Sequence, residues 1–521
     1  MSKIIKRLHP EVIRKTAARC RQRGIVLPTF KQLRNPELIP PAIQQKLNGV
    51  GLWDVNPANL FRITWKNDVK AGLYGGVNYL EIPPAITGVK ARVIGLVGKY
   101  FPTGAHKVGA AFGCLVPRLV SGEFDPEKHK AAWPSTGNYC RGGAFDCAVL
   151  DCTAIAILPE GMSRERFEWL KKIGARIIAT PGCESNVKEI YDKCWELKKD
   201  PLNVIFNQFE EFGNPIFHYN VTGPAIEEVF QELSAERGVY AASPSGMGFQ
   251  PVSSRRRATA ETHGLEARAT TALRAAAFIS ATGSAGTIAA GDYLKKQHAA
   301  LKIVATEALQ CPTLLMNGFG DHRIEGIGDK HIPWVHNVRN TDVVAAIDDE
   351  DCMRILRLFN EPAGRKHLAS LGVKAKELES LPLLGISSIC NLLAAIKTAK
   401  YFELDERDVI FTVFTDSTEL YGSRVEELEK ERGAYRAQDA VADFAGPLAH
   451  QSVDYFKELT YPDRKAIHNL KYYTWVEQQG KTSAELTEQW NPEYWRALFE
   501  DEVAYFDRLI EEFNQQVGAR G

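Results

Sequence analysis

From about Arg92 onward, short β-branched runs alternate with longer stretches of helical period. Residues 154–158, 175–179 and 203–206 read as strands, with helices near 163–173 and 185–198 between and after them. The rhythm returns at 275–280, 301–306 and 409–414. Strand, helix and strand in succession make βαβ units and a parallel sheet. Ligands of such sheets bind at the loops that leave the strand C-termini.

Three stretches fall outside the rhythm. Residues 1–92 hold few strand-like runs and many prolines, and are expected to be an N-terminal extension packed on the core. Residues 426–521 are rich in Glu, Trp, Tyr and Phe at helical spacing, with helices expected near 425–433 and 492–516. Those aromatics read as helix packing rather than a ligand box. The third stretch, 238–272, follows an amphipathic helix near 224–236, is poor in apolar residues and has no sustained period. A loop of that length in a compact domain reads as an insertion, expected to be mobile. Its Arg255, Arg256 and Arg257 read as solvated surface rather than an RNA contact. The expected organisation is a core of 93–425 with a smaller subdomain at about 125–223, flanked by 1–92 and a mainly helical 426–521.

Composition narrows the class. The 521 residues carry 64 Lys+Arg and 64 Asp+Glu, which leaves no global charge argument for nucleic acid or an acidic membrane surface. Ten cysteines are scattered without a C-x-x-C pair, so buried thiols are expected rather than disulfides or a metal site. The basic N-terminus lacks the apolar core of a secretory signal, and no run reaches the ~18 apolar residues of a membrane span. A cytoplasmic protein is expected.

Candidate chemistry sits in four turns. In Phe101-Pro102-Thr103-Gly104-Ala105-His106-Lys107-Val108-Gly109, a glycine turn presents Lys107 at the start of a helix. An amine so placed can form a Schiff base with an aldehyde cofactor, although a lone lysine is usually solvated charge. Ser135-Thr136-Gly137-Asn138-Tyr139 follows a short apolar run and precedes a helix through 143–150. Its hydroxyls and N–H groups suit a carboxylate, and Asn138 could donate to a phenolate-type oxygen; alone, the segment would read as an N-cap. Ala281-Thr282-Gly283-Ser284-Ala285-Gly286-Thr287 joins the strand 275–280 to a helix at 288–296. Small residues there let the backbone approach a phosphate at a helix N-terminus. It is neither G-x-G-x-x-G nor a P-loop, so dinucleotide and NTP readings fit poorly. Thr415-Asp416-Ser417-Thr418-Glu419-Leu420-Tyr421 ends the strand 409–414, and a hydroxyl there could bond a ring nitrogen without forcing its protonation.

In this order the four turns resemble those of the fold-type II pyridoxal-phosphate enzymes, the cysteine synthase and tryptophan synthase β-chain group. Gly104-Ala105-His106-Lys107 is similar to the tryptophan synthase β form of the Schiff-base lysine. Asn207-Gln208-Phe209, Asn214-Pro215, the run His218 to Pro224, Glu325-Gly326-Ile327-Gly328 and Gly385-Ile386-Ser387-Ser388 are more similar to cysteine synthase. The resemblance covers about residues 99–423 apart from the insertion.

It implies two parallel-sheet αβα domains with pyridoxal 5'-phosphate in the cleft between them. It implies Lys107 as the Schiff-base lysine and general base, and Asn138 on the cofactor's ring oxygen. Ser135, Thr136, Gly137 and Asn138 would hold the substrate carboxylate. Gly283, Ser284, Ala285, Gly286 and Thr287 would hold the phosphate, with His106 as a further contact or a packed histidine, and Ser417 would face the pyridine nitrogen. A homodimer and a small amino-acid substrate follow from the same resemblance.

The carboxylate turn lacks the acidic residue of the tryptophan synthase β group, which argues against tryptophan synthesis. Both terminal extensions and a longer segment near 363–379 depart from cysteine synthase. The expected function is β-replacement or β-elimination on a small amino acid, cysteine synthase-like. The alternatives are an ammonia-releasing serine/threonine dehydratase or cysteine desulfhydrase, and a non-catalytic cofactor-binding protein. Cys140, beside the carboxylate turn, reads as a buried structural thiol rather than a sulfur relay.

Overall fold

The computed structural model describes residues 2–69, 73–135, 137–182, 187–236, 272–328 and 330–518. The insertion expected at 238–272 lies, but for residue 272, outside them, as do Thr136 and Cys183.

Eleven strands form two sheets among the described residues. They are β1 (Tyr79–Ile82), β2 (Arg92–Val97), β3 (Lys130–Pro134), β4 (Thr153–Pro159), β5 (Arg176–Thr180), β6 (Asn203–Ile205), β7 (Arg274–Ala281), β8 (Lys302–Ala308), β9 (Val343–Ile347), β10 (Asp408–Phe414) and β11 (Phe456–Glu458). The smaller sheet has the order β5-β4-β3-β6 and is parallel throughout. The larger runs β1-β2-β10-β7-β8-β9-β11, and its five inner strands are parallel. Helices cover these strands, and β10 is buried along its whole length. That accounts for the continuous apolar run at 409–414, since a parallel strand has no solvent face. The α/β class expected from the alternation is the class observed.

The segments before and after the core do more than lie against it. β1 closes one edge of the large sheet antiparallel to β2, and β11 closes the other antiparallel to β9. Ile5, Leu27, Phe30 and Leu33 share a core with Phe506, Leu509, Ile510 and Phe513 from the far end of the chain. The Asn514 amide there accepts from Leu27 N at 3.1 Å and donates to Leu27 O at 2.8 Å. Trp475 and Trp495 are buried and donate to Ile332 O and Gln489 O, each at 2.7 Å, so these aromatics do pack helices.

Two helices differ from expectation. The helix expected through 143–150 begins earlier, as Asn138–Val149, because Gly137 (φ 155°) lets the chain turn into it directly from the carboxylate turn. The single helix expected over 492–516 is broken into Pro492–Arg496 and Glu502–Val517 by a wide π-type turn at Ala497–Asp501. No single helix among the described residues is long and apolar enough to cross a membrane.

Candidate active site

Four strands aim their C-terminal ends at one cleft. β2 leads into the lysine turn and the helix Lys107–Ser121, and β3 into the carboxylate turn. β7 leads into the glycine-rich loop and the helix Ile288–Gln297, and β10 into Asp416 and Ser417. The carboxylate turn belongs to the small sheet and the other three to the large one, so the cleft lies between the sheets.

On the large-sheet side, Lys107 Nζ donates to Ser284 Oγ at 3.3 Å. The same hydroxyl accepts from Asn214 Nδ2 at 3.0 Å and from Gly286 N at 3.4 Å. Ala285 takes a left-handed conformation (φ 59°), which turns the loop's amides into the cleft ahead of the helix. Gly286 is fixed by space: a Cβ there would lie 2.1 Å from Asn214 Oδ1.

On the small-sheet side, Ser135 N donates to Ile157 O at 2.9 Å and its Oγ accepts from Gly137 N at 3.1 Å. A Cβ on Gly137 would sit 2.4 Å from Arg166 Nη1, so the Arg166 guanidinium lies directly behind the turn. That guanidinium is fully buried, 3.0 Å from Glu325 Oε2 and 2.9 Å from the Tyr421 hydroxyl. The Tyr421 hydroxyl in turn donates to Asp416 Oδ2 at 2.7 Å, and Asn138 Nδ2 donates to the same oxygen at 2.6 Å. Burial pushes the Asp416 carboxyl above the usual carboxylate range, against the pull of Arg166 and of these two donors. Cys140 is buried as expected, its thiol pushed up to about 12 by burial and donating to Gly137 O.

The lysine turn is backed by the N-terminal extension. Trp65 stacks on His106 with centroids 5.6 Å apart and donates to Thr222 Oγ1 at 3.0 Å. His218, on a π-turn, meets the other side of His106 edge-on at 5.1 Å. Burial, aided by the charge of Lys107, lowers the His106 pKa to about 3, so the imidazole is neutral.

Pyridoxal phosphate fits these residues. Three donors converge on the one Ser284 oxygen, more than its two lone pairs accommodate. The amides of Ser284, Ala285 and Thr287 bond no protein acceptor among the described residues. An anion at a helix N-terminus takes up such a surplus of donors.

Of the predicted residues, the structure brings together His106, Lys107, Asn138, Ser284, Gly286 and the loop around them. Ser135, Gly137 and Ser417 are at the same strand ends, Ser417 being buried next to Asp416. Sequence reasoning missed Arg166, Tyr421, Asn214, Trp65 and the side chain of Asp416. Arg166 gave no signal, since it sits in a charged helix that reads as solvated.

A lysine at a helix start, facing a phosphate-type loop in a cleft between two parallel sheets, defines a fold-type II pyridoxal-phosphate enzyme. The chain belongs to the pyridoxal-phosphate dependent enzyme family, whose sequence pattern matches residues 99–416. It is 28% identical over 289 residues to the cysteine synthase of Staphylococcus aureus, covering 55% of this chain and 74% of that one. It is 26% identical over 351 residues to the cystathionine beta-synthase of Saccharomyces cerevisiae, covering 66% of this chain and 59% of that one. The crystal structure of the cysteine synthase of Entamoeba histolytica superposes with a TM-score of 0.52 at 20% identity, over 71% of this chain and 93% of that one.

Proposed function

We propose that this enzyme carries out β-replacement or β-elimination on a small amino acid, in the manner of a cysteine synthase. The meeting of Lys107 Nζ with Ser284 Oγ at 3.3 Å, opposite the carboxylate turn, carries the reading. Pyridoxal phosphate, when bound, supplies an electron-withdrawing ring that stabilises negative charge at the substrate α-carbon. Gly283, Ser284, Ala285, Gly286 and Thr287 would hold its phosphate, with His106 as a neutral contact beside them. Asn138 donates to the ring oxygen, and its amide is already oriented by Asp416 Oδ2 at 2.6 Å. Ser417 would face the ring nitrogen, where a hydroxyl would not force its protonation. Ser135, Thr136, Gly137 and Asn138 hold the substrate carboxylate.

Lys107 Nζ would hold the cofactor and, as a free amine, would take the α-proton of the substrate. Loss of the β-substituent follows, and in replacement a nucleophile such as sulfide adds. The same reading takes 93–425 as the catalytic core, flanked by 1–92 and 426–521, in a cytoplasmic homodimer.

Visible absorption of the purified protein, alone and with O-acetylserine, tests the proposal. A cofactor band that shifts with O-acetylserine, and whose resting form is lost in Lys107→Ala, is expected; turnover should fall by about 10³-fold or more in that variant. Added sulfide then separates replacement from release of ammonia. A band that responds to no amino acid would overturn the enzymatic reading.

A further inference from the structure

A cleft of about 550 Å³ lies away from the catalytic one, between the helix Ile288–Gln297 and the C-terminal helices. Its volume is within the range of small-molecule sites, roughly 300–1,000 Å³. Tyr219, Trp495 and Phe499, all buried, give it an aromatic wall, with Tyr219 and Phe499 stacked at 4.6 Å.

The charges around it are unevenly matched. Lys295 is paired with Asp342 at 2.7 Å, Lys296 with Glu500 at 2.6 Å, and Arg496 with Glu493 at 2.6 Å and Asp501 at 3.1 Å. Two lining groups have no such counter-ion among the described residues. Asp292 accepts only from the neutral amides of Asn337, at 3.3 Å to each oxygen, and of Asn340. Arg339 donates to a main-chain carbonyl, Trp490 O, at 2.5 Å and lies over the Trp490 ring at 5.8 Å, but has no carboxylate within salt-bridge distance. Asn337, 8% exposed, lines the cleft, and its Oδ1 has no partner. Burial raises the Asp292 pKa to about 7, against the pull of the Asn340 and Asn337 amides and of the nearby Lys295 charge.

A carboxylate and a guanidinium that are in no ion pair among the described residues, beside an aromatic wall in one cleft, suit a ligand with an ammonium, a carboxylate and an apolar body. We propose that this cleft is a second site, beyond the catalytic reading, that binds a free α-amino acid with an aromatic side chain as its zwitterion. Asp292 and Asn337 Oδ1 take the ammonium, Arg339 takes the carboxylate, and the side chain lies on Trp495 and Phe499. The C-terminal segment supplies the aromatic half of the site, so the site requires that segment.

The test is calorimetric titration of the full-length holoenzyme after borohydride reduction, which fixes the cofactor on Lys107 and blocks the catalytic site to amino acids. L-phenylalanine should bind saturably. Phenethylamine and 3-phenylpropionate, each lacking one charge, should bind at least about tenfold more weakly. Asp292→Asn and Arg339→Gln should each weaken L-phenylalanine by about tenfold or more. Ala299→Trp, at the exposed rim, should abolish binding while leaving both charges in place, and so answers a failure of the buried variants to fold. No saturable binding of L-phenylalanine, L-tyrosine or L-tryptophan would overturn the proposal. So would affinity unchanged by these substitutions, or 3-phenylpropionate binding as tightly as the amino acid.

Discussion

On the side of the candidate cleft formed by the glycine-rich loop, the groups are main-chain amides, a hydroxyl, the Asn214 amide and a neutral imidazole, with Lys107 as the sole charge named there. On the carboxylate side, the turn rests on Arg166, Glu325, Asp416 and Tyr421, a buried ionic cluster drawn from three distant parts of the chain. The first wall is made by local geometry: a glycine, a left-handed alanine and a helix start. The second exists only once the fold has brought its parts together. Two walls with one task thus depend on different physics, and they should fail in different ways.

The largest expected effect is on the ionic wall. Arg166→Met removes the cation shared by the buried Glu325 and Asp416, leaving Glu325 with Arg424 alone and Asp416 with none in ion-pair distance, and should cost about 3–5 kcal/mol of stability, read as a lower urea midpoint. A loss below about 1 kcal/mol would show that the wall does not depend on the charge.

Acid should probe the neutral wall next. The His106 pKa lies below its unfolded value, so the neutral form contributes stability fully above about pH 6.5, and that contribution is lost as pH falls toward about 3. His106→Phe should flatten this part of the stability–pH curve by about 2–4 kcal/mol, and an unchanged curve would place the acid response elsewhere.

The smallest effect is expected at Ser284→Ala, which removes one hydroxyl from a wall of amides. Cofactor binding should weaken only about fivefold, near 1 kcal/mol, measured by equilibrium dialysis. A loss of a hundredfold would mean that the hydroxyl, rather than the backbone, holds the phosphate.

The same contrast explains what was legible in the sequence. Strands with β-branched runs and loops of small residues announce themselves locally, so β4, β5, β6, β7, β8 and β10 and the loop at 283–287 could be read directly, whereas β1, β9 and β11 were not. Arg166 could not, because in Arg-Glu-Arg-Phe-Glu-Trp-Leu-Lys-Lys it is one of several charges on an amphipathic helix. Nothing local says that this one is buried while its neighbours are solvated. Trp65 was equally hidden, since only tertiary contact places an extension residue against His106. Asn138 was placed in a turn ahead of the helix, whereas it is the first residue of the helix, a difference that rests on the backbone angles of Gly137.

The strand order of the large sheet also sets a timetable for synthesis. β10 lies between β2 and β7, yet it is made after both, so the ladder edges that face it stay open while the intervening chain emerges. At ribosomal rates of roughly 5–20 residues per second, the wait from β2 is on the order of tens of seconds. The small sheet, drawn from the continuous stretch 130–205, has no such wait. The nascent chain should therefore carry a finished small sheet beside a large one with its middle strand missing, with unpaired edges that a chaperone would have to shield.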